Sequence, residues 1–141
     1  MTVEVHTANI LYPGNDRLDI SYKTGESIFA PPPSLSIDLR SGTVRWEVYV
    51  REYYAEMRSS YVRNRRDWDF VLHLRHVVFM CYCKQPSHCH RKLLACIFVK
   101  LGASYGGEIS RWDLSKPVVG GGVGVMMEHV GSPGSVIGTG A

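Results

Sequence analysis

Apolar and polar positions alternate loosely at the amino terminus, where Val3, Val5, Ile10 and Leu11 suit an opening strand across residues 3–11. Tyr12-Pro13-Gly14-Asn15-Asp16 reads as a turn, because proline fixes φ and glycine reaches angles that other residues avoid. Leu18, Ile20 and Tyr22 then share one face of a second extended segment, residues 17–23. A turn at Thr24-Gly25-Glu26 leads to the short apolar piece Ser27-Ile28-Phe29-Ala30. Pro31-Pro32-Pro33 is expected to be a stiff connection, since proline lacks the N–H that a helix interior or central strand needs.

The next stretch changes period. Trp46, Val50, Tyr53, Met57 and Tyr61 recur at helical spacing, which predicts one long amphipathic helix starting near Ser41 or Thr43. Glu47 and Glu52 come early and Arg63, Arg65 and Arg66 late, the order that the helix dipole favours. Its aromatic residues read as core and its arginines as a solvated end. His76 to Cys83 is apolar on both faces and rich in β-branched and aromatic residues, the pattern of a central strand covered on each side. After Lys84-Gln85-Pro86, Ser87 is the expected cap of a helix carrying Leu93, Leu94, Ile97, Phe98 and Leu101 and closed by Gly102. Residues 103–109 read as a further strand, interrupted at Gly106-Gly107.

Alternating strands and helices predict an α/β domain over residues 1–115, followed by a flexible glycine-rich tail, 116–141. The length of 141 residues suits one domain with a real core. A net charge of +3 permits an anionic small-molecule ligand but lacks the dense basic stripe of a nucleic-acid binder. No apolar run reaches the ~20 residues of a membrane span, and no basic-then-apolar leader opens the chain. Cys81, Cys83 and Cys89 crowd together with no secretory signal, so the expected setting is cytoplasmic with reduced thiols.

The chemistry-bearing residues gather where the central strand gives way to the helix. The first turn of a helix offers unpaired N–H groups and about half a positive charge. Cys89, His90 and Arg91 fall there. That geometry favours a thiolate at Cys89 and makes it a candidate nucleophile beside His90, the other reading being a small residue packed under the loop. Arg91 and Lys84 are expected to grip phosphate or carboxylate. The signature of thiol phosphatases, arginine six places after cysteine, is absent for all four cysteines. Zinc is the rival chemistry, with Cys81, Cys83, Cys89, His88 and His90 as donors. The one-residue spacing of Cys81 and Cys83 is tighter than usual, and the reading made here is no metal and no cofactor. Cys96 is expected in the core. His6, His73, His76 and His129 are isolated and receive no role.

Three blocks stand in order: Cys81-Tyr82-Cys83-Lys84, Cys89-His90-Arg91-Lys92-Leu93-Leu94-Ala95, and Leu101-Gly102-Ala103-Ser104-Tyr105-Gly106-Gly107-Glu108. Together they resemble the phage and prokaryotic proteins related to the family Domain of Unknown Function 488. Thr7-Ala8-Asn9-Ile10, the stretch from Tyr12 to Asp19 and the Trp46 to Tyr61 helix are also similar to the phage branch. The resemblance leaves the glycine-rich tail outside it. It implies a Rossmann-like fold, a mostly parallel sheet with flanking helices, and the Cys-His-Arg stretch beside the central strand. It brings no established activity. Residue by residue it marks Cys81, Cys89, His90 and Arg91, with Asn9, Asp16, Arg17 and Asp19 as amino-terminal candidates. The Asp16-Arg17-x-Asp19 block reads equally as a turn held by its own salt bridge.

The expectation is therefore a nucleotide- or nucleoside-type anionic ligand site. Cys89 and His90 are its catalytic candidates, and Arg91, Lys84, Cys81, Cys83, Asn9, Asp16, Arg17 and Asp19 its binding candidates. Two alternatives stand beside it: a non-enzymatic phage or accessory protein that sequesters a signal or host partner, and a zinc-stabilised interaction module. Whether the chain turns its ligand over is left open.

Overall fold

The computed structural model describes residues 2–83 and 88–110. Lys84, Ser87 and the tail 116–141 lie outside the described residues. Strand β1 (Glu4–Asn9) and strand β2 (Arg17–Asp19) open the chain, and helices α1 (Pro33–Ser41), α2 (Trp46–Arg63) and α3 (Arg65–Leu72) follow. Strand β3 (His76–Cys81), helix α4 (His90–Lys100) and strand β4 (Ser104–Ile109) complete the order.

The four strands form one sheet in the order β2-β3-β1-β4, and every pairing in it is parallel. This is a Rossmann-like α/β arrangement with an all-parallel sheet. Because the strands run together, their carboxyl ends share one edge, where ligands bind in open α/β folds. Cys81 ends β3 directly opposite Asn9, the last residue of β1.

Val3, Val5, Val77 and Phe79 enter the core, where Leu94 and Phe98 from α4 and Trp68 from α3 meet them. Trp68 stacks on Phe98 at 5.3 Å, and Phe29 and Phe79 meet rings edge-on at 5.0 Å. Such pairs contribute about 0.5–1.5 kcal/mol each beyond their buried area. Backbone carbonyls that no strand satisfies are closed by buried side chains. Tyr53 Oη donates to Phe29 O, Ser60 Oγ to Ile28 O, and Trp68 Nε1 to Ser60 Oγ.

Three elements depart from the sequence pattern. The proline run does not remain a connection: Pro33 opens α1, where its missing N–H costs nothing and its fixed φ already fits a helix. Gly42, in the left-handed region at φ 82°, ends α1 and separates it from α2. The long helix therefore begins at Trp46 rather than near Ser41 or Thr43, and Arg65 and Arg66 belong to a separate helix. Tyr49, Tyr53, Met57 and Ser60 are its buried residues, while Trp46 and Tyr61 of the expected stripe pack against the core half-buried. Finally, Gly106-Gly107 does not break β4. Tyr105 pairs with Val5 and Gly107 with His6, so Gly106 is the extra residue of a bulge. A Cβ at Gly106 would stand 2.2 Å from the His6 ring.

Candidate functional site

Strand β3 delivers Cys81 to the carboxyl edge of the sheet, buried at 1% exposure, and Cys83 follows at the surface. Cys89 returns to the same place as the extended residue that caps α4 (φ −140°, ψ 145°). The three sulfurs lie within 4.8 Å of one another, and Cys81 and Cys89 approach to 2.6 Å. Contiguity in sequence thus becomes a thiol cluster only because strand and helix meet end to end.

Arg91 is the organising cation. It is wholly buried, and its guanidinium faces Glu108 of β4 edge-on, with Nε donating at 3.1 Å and Nη2 at 2.8 Å. Nη1 donates to Cys83 O at 2.8 Å and to Cys81 Sγ at 3.2 Å, with Cys89 Sγ at 3.5 Å. All three nitrogens therefore have protein partners. Within the protein, Arg91 holds the Glu108 carboxylate, two thiols and a loop carbonyl.

Hydrogen bonds from Cys83 and Cys89, aided by the Arg91 guanidinium, hold the Cys81 thiol far below its ordinary range. Burial, followed by hydrogen bonding to Cys81, pushes Cys89 upward, and the hydrogen bond to Cys81 raises Cys83 to about 11. Within the cluster the charged form is thus favoured at Cys81 over Cys89.

His90 is buried at 4% exposure and lies 2.7 Å, through Nε2, from the carbonyl of Ile20. A carbonyl only accepts, so Nε2 carries the proton and Nδ1 the lone pair, 3.9 Å from Cys89 Sγ. Burial lowers the pKa of His90, which keeps the ring neutral.

A cavity of about 470 Å³ opens against this cluster. Cys81, Cys83, His88 and His90 line it from the thiol side. Ser21, Tyr22 and Lys23, from the loop after β2, form another wall, and Leu39 and Arg40 of α1 face them. Tyr49 of α2 and Tyr82 complete the aromatic lining. Arg40 Nη2 donates to Tyr22 Oη at 2.9 Å, and Lys23 Nζ stands 6.0 Å from the ring centroids of both Tyr22 and Tyr82. Cys89 and Arg91 are buried and do not line this cavity.

The amino-terminal candidates divide. Asn9 reaches the site, where Nδ2 donates to Cys83 O at 3.4 Å and Oδ1 accepts from Leu11 N. Asp19 organises the cavity loop by accepting from Ser21 N and from the Thr24 hydroxyl. Asp16 accepts from Tyr12 Oη, and Arg17 donates to Gly14 O, so both hold the β1–β2 turn and stand apart from the thiols. That turn is closed by hydrogen bonds rather than by the expected internal salt bridge. Cys96 is exposed on α4, not in the core. Lys23, Arg40, Tyr49 and Glu108 were not singled out from sequence. Glu108 alone had a signal, as the last residue of the third quoted block.

Residues 14–101 match the family described as the active DUF488-N3 subclade, DUF488-N3a. The chain belongs to this family. No curated protein and no solved structure matches it. The matched part runs from the β1–β2 turn to the end of α4 and so contains all three clustered cysteines, His90 and Arg91. Two partners of the DUF488-N3a site come from outside it: Asn9 of β1 and Glu108 of β4. Among the described residues, no helix is long and apolar enough to cross a membrane.

Proposed function

We propose that this DUF488-N3a chain binds a nucleotide- or nucleoside-type anionic ligand in the cavity at the carboxyl ends of β2 and β3. The observation that carries this reading is the lining itself. Lys23 and Arg40 bring positive charge, Tyr22, Tyr49 and Tyr82 bring aromatic surface, and Cys81 and His90 line the same cavity. Its volume falls in the range of small-molecule sites, about 300–1,000 Å³. A base or ribose suits the tyrosine walls, and a phosphate suits the two cations. The binding cations are thus Lys23 and Arg40, while Arg91 holds the sheet edge in shape.

Calorimetry of the full chain against nucleoside mono- and diphosphates, cyclic nucleotides and ADP-ribose tests the reading. Binding of at least one class is expected, weakened about tenfold or more in the Lys23→Ala/Arg40→Ala double variant. No binding across that panel, or equal affinity in the double variant, overturns it. Mass spectrometry of the incubated ligand then separates an enzyme, which alters it, from a protein that sequesters it.

A further inference from the structure

We infer that Cys81, Cys83 and Cys89 form a three-sulfur site for one zinc ion at the wall of the cavity, with the fourth coordination position left to water or to a ligand atom. Three soft donors from one strand end, one loop and one helix cap converge with their sulfurs inside 4.8 Å. Tetrahedral zinc with bonds of about 2.3 Å places its sulfurs about 3.8 Å apart. That value lies between the 2.6 Å separation of Cys81 and Cys89 and the 4.8 Å span of the group.

The short Cys81–Cys83 spacing is no obstacle here. β3 ends at Cys81, so Cys83 is freed from the strand pleat that would set the two side chains side by side. The loop is held instead by its carbonyl, which accepts from both Arg91 and Asn9. Charge points the same way. Three thiolates around a divalent ion leave one negative charge, and the Arg91 guanidinium already donates N–H groups to two of those sulfurs. Such outer hydrogen bonds orient and support metal ligands. Zinc is favoured over hard cations because no carboxylate joins the group of donors. Three protein ligands and an open position match zinc sites that act on a bound molecule rather than closed structural ones. Cys81 and Cys83 line the cavity, so the open position has a route to it.

The test uses the full chain, reduced and stripped with chelator, then titrated with Cd²⁺ and with Zn²⁺. One equivalent is expected, with sulfur-to-cadmium charge-transfer absorption in the ultraviolet. Cys83 is exposed, so Cys83→Ser keeps the fold, checked by circular dichroism, and loses more than about tenfold in metal affinity. Cys96→Ser, which changes the exposed thiol of α4, binds as the unaltered chain does. The site is overturned by an unaltered, reduced chain that takes up no cadmium, or by equal uptake in Cys83→Ser. Nucleotide affinity is tested through Lys23 and Arg40, so failure of either reading leaves the other standing.

Discussion

Arg91 and Glu108 meet as a two-pronged ion pair at 3.1 and 2.8 Å, with the arginine side chain fully buried and the carboxylate 22% exposed. One comes from the start of α4 and the other from the far edge strand, so the pair ties the helix that follows β3 to a strand that does not touch β3. Removing the carboxylate leaves a guanidinium in the interior with only sulfur and carbonyl partners. Glu108→Ala is therefore expected to destabilise the fold by about 3 kcal/mol. Urea denaturation measures it, and a loss below about 1 kcal/mol would show that the pair is dispensable.

The cavity loop makes a sharper demand at Gly25. A Cβ there would stand 2.4 Å from Asp19 O and 2.5 Å from Ser21 N, both backbone atoms that cannot rotate away. Gly25 N also donates to Ser21 O, and Glu26 N to Asp19 O, so the loop is closed on itself around this residue. Gly25→Ala must push the segment carrying Tyr22 and Lys23 outward. About 1–3 kcal/mol of stability is expected to go, together with nucleotide binding. Thermal unfolding and calorimetry on the same variant check both, and wild-type values in both would contradict the loop geometry.

What the residue pattern reveals and what it hides follow from distance along the chain. Cys81, Cys83, Cys89, His90 and Arg91 are close in sequence and sit on a strand end and a helix start, two features that apolar patterning locates well. The direction in which each side chain faces depends on the partner elements. Arg91 turns inward because Glu108, 17 residues on, is there to receive it, and no local pattern encodes that pairing. Lys23, Arg40 and Tyr49 come from a loop and two helices, and they face one cavity only after folding. Helix α1 was hidden by its prolines, whose rigidity reads as a linker until the following residues are seen to wind.

Ser60 supplies a test of the polar core. Its hydroxyl donates to Ile28 O at 2.6 Å and accepts from Trp68 Nε1 at 3.1 Å, all in the interior. Ser60→Ala strands both the carbonyl and the indole N–H, each costing about 1–3 kcal/mol when buried and unpaired. A combined loss of about 2–4 kcal/mol is expected, allowing for partial relaxation. Tryptophan emission reports the change, since the environment of Trp68 is altered directly. An unchanged denaturation midpoint would mean that neither group depends on the hydroxyl.

Glu26 gives the fold a pH dependence of unusual sign. Burial, with the carboxylate of Asp67 adding to it, pushes Glu26 up to about 7. Asp67 is raised as well, by its own burial. In the unfolded chain a glutamate releases its proton near 4.3, so between that point and about 7 the folded state holds a proton that the unfolded state has lost. More protons bound when folded means that stability falls as pH rises through this window. The contribution is fully present below about pH 4.3 and gone above about pH 7. Because Glu26 is only half-buried, solvent screening trims the effect to about 1 kcal/mol. Glu26→Gln keeps the shape and removes the titration. The difference in stability between the glutamine variant and the unaltered chain is therefore expected to grow in favour of the variant from pH 5 to pH 8. Urea midpoints at the two pH values measure it, and a difference that stays constant would place the proton elsewhere.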